Sequence, residues 1–96
     1  MNAFRELDPL LHSQLRLSII SLLISVKSAE FNFLLEKTGA TRGNISVQLK
    51  KLEEAGYIEI IKSFRDNYPL TTCRITPAGV EAFEKYVDAL KDYLGK

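Results

Sequence analysis

The densest run of residues suited to meeting a nucleic acid lies between Thr41 and Lys51, and it comprises Thr41, Arg42, Gly43, Asn44, Ser46, Val47, Gln48, Lys50 and Lys51. These types share a chemistry. An arginine fork bridges guanine O6 and N7, a primary amide bridges adenine N6 and N7, and a small apolar group meets a thymine methyl. The lysines add cations suited to phosphate. Their spacing places them together. Ile45, Leu49 and Leu52 recur at helical intervals and form one stripe that must face a core. Val47 stands about 200° around the helix from Ile45 and points outward with the polar residues. Gly43 lets the start of that helix approach a phosphate closely. Downstream, Lys62-Ser63-Phe64-Arg65-Asp66-Asn67-Tyr68 combines cations with aromatics. Lys62 and Arg65 suit a duplex backbone or minor groove. Phe64 and Tyr68 fit either DNA contact or packing on the domain, and Asp66 fits a turn cap.

Other reactive chemistry is thin. His12 has no cysteine or histidine at metal-ligand spacing, so no metal is expected. Cys73 is the only cysteine, which excludes an intrachain disulfide. On a strand it reads as a small buried apolar residue. No histidine is paired with a serine or cysteine as an activated nucleophile. An enzyme is not expected, nor a cofactor. The chain has 96 residues, 46% hydrophobic and 26% charged, which fits one ordinary globular domain. Its formal net charge is only +1, a weak recommendation for a polyanionic partner. The charges are unevenly placed. Cations gather between Thr41 and Arg65, and acids after Pro77. The N-terminus has no basic region followed by an apolar stretch. The most apolar run, Leu15 to Val26, is broken by Arg16, Ser18, Ser21 and Ser25 and is too short for a bilayer. A cytoplasmic chain with no membrane partner is expected.

Elements must hold these residues in place. Asp8-Pro9 has N-cap and N1 chemistry, and the apolar spacing from Leu11 to Val26 predicts a first helix over 8–27. Ser28 starts a second over 29–38, ended by Gly39. Thr41 caps a third over 41–55, ended by Gly56. A two-stranded hairpin follows over 57–75, with strands at Tyr57 to Ile61 and Thr71 to Ile75 and a tip of several residues containing Pro69. Thr76-Pro77 opens a last helix over 77–94. Two helices on a tight join, Thr38-Gly39-Ala40-Thr41, are the arrangement that offers a second helix to a major groove.

The last helix carries Val80, Phe83, Val87, Leu90 and Leu94 at alternating spacings of three and four, widened by Tyr86 and Tyr93. Its distal part extends beyond what so small a core covers. A homodimer interface is expected from Tyr86, Leu90, Tyr93 and Leu94 together with Phe4, Leu7, Leu10 and Leu11.

The chain resembles the winged-helix regulators of the MarR/ArsR-like superfamily, and within it the small stand-alone winged-helix DNA-binding group. The resemblance rests on Leu11–Leu17, Phe31–Gly39, Thr41–Tyr57, Pro69, Thr71 and Ile75–Gly79, which is nearly the whole chain. It implies an α+β, mainly α, winged helix-turn-helix: a three-helix DNA-binding core, a two-stranded β wing and a C-terminal dimerisation helix. It also implies a bacterial-type transcriptional regulator acting at palindromic operators on double-stranded DNA. Asp66-Asn67-Tyr68 stands where such wings are more basic. The paired cysteine and histidine ligands of metal-sensing members are missing, so metal sensing is not carried over. No residue points to a small-molecule effector. The alternative from another class is a winged-helix protein–protein interaction module without DNA binding, which the near-neutral charge favours.

Overall fold

The structure is a computed structural model that describes residues 3–95. Its elements, in chain order, are α1 (Gln14–Val26), β1 (Ser28–Glu30), α2 (Phe31–Thr38), α3 (Arg42–Glu54), β2 (Ile58–Arg65), β3 (Tyr68–Ile75) and α4 (Pro77–Leu90). Together they form a winged helix: four helices and a small antiparallel sheet of three strands, ordered β1-β3-β2.

The helix boundaries follow from local chemistry. Thr41 and Thr76 each accept a hydrogen bond from the backbone three residues on, Asn44 N and Gly79 N. Pro77 begins α4, where its missing N–H costs nothing. Gly39 closes α2 in the left-handed region, at φ 70°. The first helix starts later than the expected 8–27. Asp8 instead closes a separate turn: its carbonyl accepts from Leu11 and His12, and its carboxylate accepts from Leu10 N. Ser13 then begins α1. The last helix ends at Leu90 rather than Leu94, and residues 91–95 continue as turns.

The sheet has one strand more than expected. Ser28–Glu30, where the second helix is expected to start, pairs instead with Arg74–Thr72 on β3. The hairpin is also longer and tighter than the sequence suggests. A two-residue turn, Asp66-Asn67, has positive φ at both positions, 49° and 67°, which matches the right-handed twist of paired strands. Pro69 lies inside β3 opposite Phe64. It sits one step from the turn-flanking pair, so its nitrogen faces away from β2, on a side that β1 does not reach.

Leu11, Ile19, Ile20, Leu23, Leu34, Ile45, Leu52, Ile58 and Cys73 form the dry centre between the helices and the sheet base. Burial pushes the Cys73 thiol up to about 11. Gly79 is required by packing. A Cβ there would stand 2.2 Å from the Tyr57 carbonyl oxygen, so α4 lies directly on the chain entering β2. The Tyr57 hydroxyl donates to the Asp8 carboxylate, which ties the N-terminal turn to the same junction. No helix among the described residues is long and apolar enough to cross a membrane.

Candidate nucleic-acid interface

Helix α3 divides cleanly by face. Ile45, Leu49 and Leu52 are buried, whereas Thr41, Arg42, Gly43, Asn44, Ser46, Val47, Lys50 and Lys51 are exposed and Gln48 is half-buried. Val47 is 51% exposed, an aliphatic side chain left in water on an otherwise polar surface. A Cβ on Gly43 would meet nothing within 4 Å, so nothing inside the chain demands glycine there.

Several of these side chains already have partners. The Arg42 guanidinium lies 5.6 Å from the Phe31 ring centre and donates to Asn32 Oδ1 at 3.2 Å. Lys50 pairs with Glu53 at 3.2 Å. Lys62 on β2 donates to the Thr71 hydroxyl at 3.4 Å. Arg42, Lys50 and Lys62 line one groove between α3 and the sheet, with Glu53 as the acid among them. These pairs are exposed and therefore weak, so each cation is available to a polyanion.

The wing tip is different. Arg65 makes a forked contact with Glu30, at 3.0 and 3.3 Å to its two carboxylate oxygens. Phe64 and Tyr68 are 76% and 74% exposed and pack against nothing that covers them. A third network joins α1 to α3. Arg16 donates from Nη1 to Gln48 Oε1, and Gln48 Nε2 donates to Asn44 Oδ1 at 3.0 Å. Arg16 Nε also donates to the Leu10 carbonyl.

The residues expected between two copies divide into two groups. Phe4, Tyr93 and Leu94 are exposed and cluster at the end of α4, with the Phe4 and Tyr93 rings 5.1 Å apart. Arg5 holds this cluster together. It donates to Asp88 and Asp92, and its carbonyl accepts from the Tyr93 hydroxyl. The arginine holds the Asp92 carboxyl down to about 2 and lowers that of Asp88. Leu7, Leu10 and Leu90 are half-buried against the core. Leu11 and Tyr86 correct the expectation. Leu11 is fully buried and Tyr86 is 6% exposed, so both serve this chain's own core rather than a partner.

Sequence reasoning missed Arg16, Glu30 and Asn32. Each meets the interface across 10 to 35 residues of chain, and no local spacing signals such contacts. Among the described residues, no group of three or more His, Cys, Asp or Glu is placed to hold a metal ion.

Comparison with known proteins gives a consistent picture. Residues 15–94 match a family model described as a winged helix DNA-binding domain. The uncharacterized protein MJ0432 of Methanocaldococcus jannaschii is 41% identical over 76 residues, covering 79% of this chain and 83% of that protein. A transcriptional regulator homologue from Pyrococcus horikoshii OT3 superposes with a TM-score of 0.84 at 27% identity, over 90% of this chain and 85% of that one. A MarR-family transcriptional regulator from Silicibacter pomeroyi shares the fold at 16% identity with a TM-score of 0.69, over 85% of this chain and 54% of that one. Relatives of this kind include archaeal proteins, so the comparisons do not single out a bacterial type.

Proposed function

The chain belongs to the winged helix DNA-binding domain family, with MarR-type regulators as structural neighbours, and on that premise we propose that it is a transcriptional regulator binding specific double-stranded DNA sites as a homodimer. The single observation that carries this reading is the open face of α3. Polar and cationic side chains stand there around an exposed Val47, opposite a stripe used fully by the core. In this reading α3 enters the major groove. Arg42, Asn44, Ser46, Val47 and Gln48 meet base edges. Thr41, Gly43, Lys50, Lys51, Lys62 and Arg65 meet sugar and phosphate. Such a protein works in the cytoplasm, where its DNA is.

The homodimer reading rests on the apolar cluster of Phe4, Tyr93 and Leu94, which a second copy related by a twofold axis would cover, with Leu7, Leu10 and Leu90 beside it. A twofold dimer places its two α3 helices in successive major grooves, about 34 Å apart, and so calls for a palindromic operator.

The test is selection of duplexes from a random pool, with sizing of the selected complex. The expected result is an inverted repeat bound by two chains, with affinity falling steeply as salt rises, because lysines and arginines displace counterions from phosphate. A chain that enriches no duplex and binds all sequences alike would overturn the reading.

A further inference from the structure

The amide pair on the reading face does not stand free, because it is wired to a residue outside it. Asn44 and Gln48 are one turn apart on α3 and share a face. Arg16 reaches Gln48 from α1, and its own position is fixed by its bond to the Leu10 carbonyl. A guanidinium only donates. The Gln48 oxygen must therefore face Arg16, which turns the Gln48 nitrogen toward Asn44. That nitrogen donates to Asn44 Oδ1 at 3.0 Å, so the Asn44 oxygen faces inward as well. The chain of bonds ends on the Asn44 amide nitrogen. Among the described residues this nitrogen has no partner, and it carries two hydrogens to give. The backbone of Asn44 is held in turn by the Thr41 cap.

We propose that Arg16 is a positioning residue that sets the donor polarity of the Asn44–Gln48 pair and thereby makes α3 favour an acceptor-rich base edge. Guanine presents two adjacent acceptors in the major groove, N7 and O6, and thymine only one, O4, whereas adenine and cytosine each present an amino donor. A donor end suits the first and clashes with the exocyclic amino groups of the others. An unconstrained asparagine or glutamine, which can turn its oxygen outward, has no such bias. The inference rests on the DNA-binding reading and adds which base class the pair selects.

The experiment uses the full chain and the duplex pool described above. The Asn44→Ala variant first maps which base pair loses its preference. Arg16→Met, with a similar stem and no donor, is expected to reduce the preference for guanine at that pair by about tenfold while preference elsewhere in the site stays as in the parent. Arg16→Lys, which also only donates, should keep it. Gln48→Glu keeps the size and shape of this half-buried side chain and reverses the order. Its carboxylate accepts from both Arg16 and the Asn44 nitrogen, turning the Asn44 oxygen outward, so that adenine or cytosine is selected instead. A parent that selects no duplex would overturn the DNA-binding reading and the relay with it. A selective parent whose preference at the mapped pair is unchanged in both Arg16→Met and Gln48→Glu would overturn the relay alone. Uniform weakening at all positions in Arg16→Met, with the guanine preference intact, would do the same.

Discussion

Arg42 leans on Phe31 and reaches Asn32 in the free chain, so its fork rests against α2 until a duplex draws it away. The hydrogen bond to Asn32 is exposed, so exchanging it for a bidentate contact with guanine costs little. Arg42→Ala should therefore weaken binding to the selected duplex by about 1–3 kcal/mol and relax selection at one base pair, as read by mobility shift on matched and altered sites. Tyr57 makes a different kind of prediction. Its hydrogen bond to Asp8, with a smaller contribution from burial, pushes the phenol up to about 12 from 10. The folded chain thus favours the neutral phenol. This contribution to stability is fully present below about pH 10 and is lost as pH rises through about 12. Urea midpoints of the parent and Tyr57→Phe should differ near neutral pH and converge across that window. Much of the reading face was legible at this scale. Arg42, Val47 and Lys50 stand outward because Ile45, Leu49 and Leu52 could face only inward. The partners of Arg42 and Gln48 were not legible, since Asn32 and Arg16 arrive from other helices.

At the scale of elements, α4 rests its first turn on the Tyr57 carbonyl, and only glycine fits at position 79. Gly79→Ala should destabilise the fold by about 1–3 kcal/mol through overpacking. A thermal scan would show this as a melting point lower by several degrees. A variant as stable as the parent would mean that α4 and the turn into β2 adjust freely. Elements with their own end signals could be read from the sequence: Thr41 and Thr76-Pro77 start helices, and Gly39 and Gly56 stop them. β1 could not. Three residues, Ser-Ala-Glu, have no strand character of their own and extend only because β3, more than forty residues later, supplies the hydrogen bonds. The length of β2 and β3 was hidden for a related reason. Pro69 reads as a strand breaker, yet β1 stops short of it and leaves its nitrogen with no bond to lose. Asp8-Pro9 carried a real start signal, but for a single turn that sends Leu11 into the core before Ser13 begins α1.

For the whole molecule, the proposed pairing places the exposed end of α4 against its copy. Leu94 is 63% exposed, so Leu94→Asp should cost a single chain little. Between two chains it would bury an unpaired charge. Sedimentation should then find monomers at concentrations where the parent is paired, while the circular dichroism spectrum stays unchanged and an isolated half-site is still bound. A parent that sediments as a monomer at every concentration would end the pairing model. The wing has a consequence of its own. Beyond β1 it is a two-stranded lever, braced to the body by Arg65 and Glu30. Glu30 is then an internal competitor for the cation that phosphate would claim. Glu30→Ala should tighten DNA binding at low ionic strength, and the advantage should shrink as added salt screens the brace in the parent.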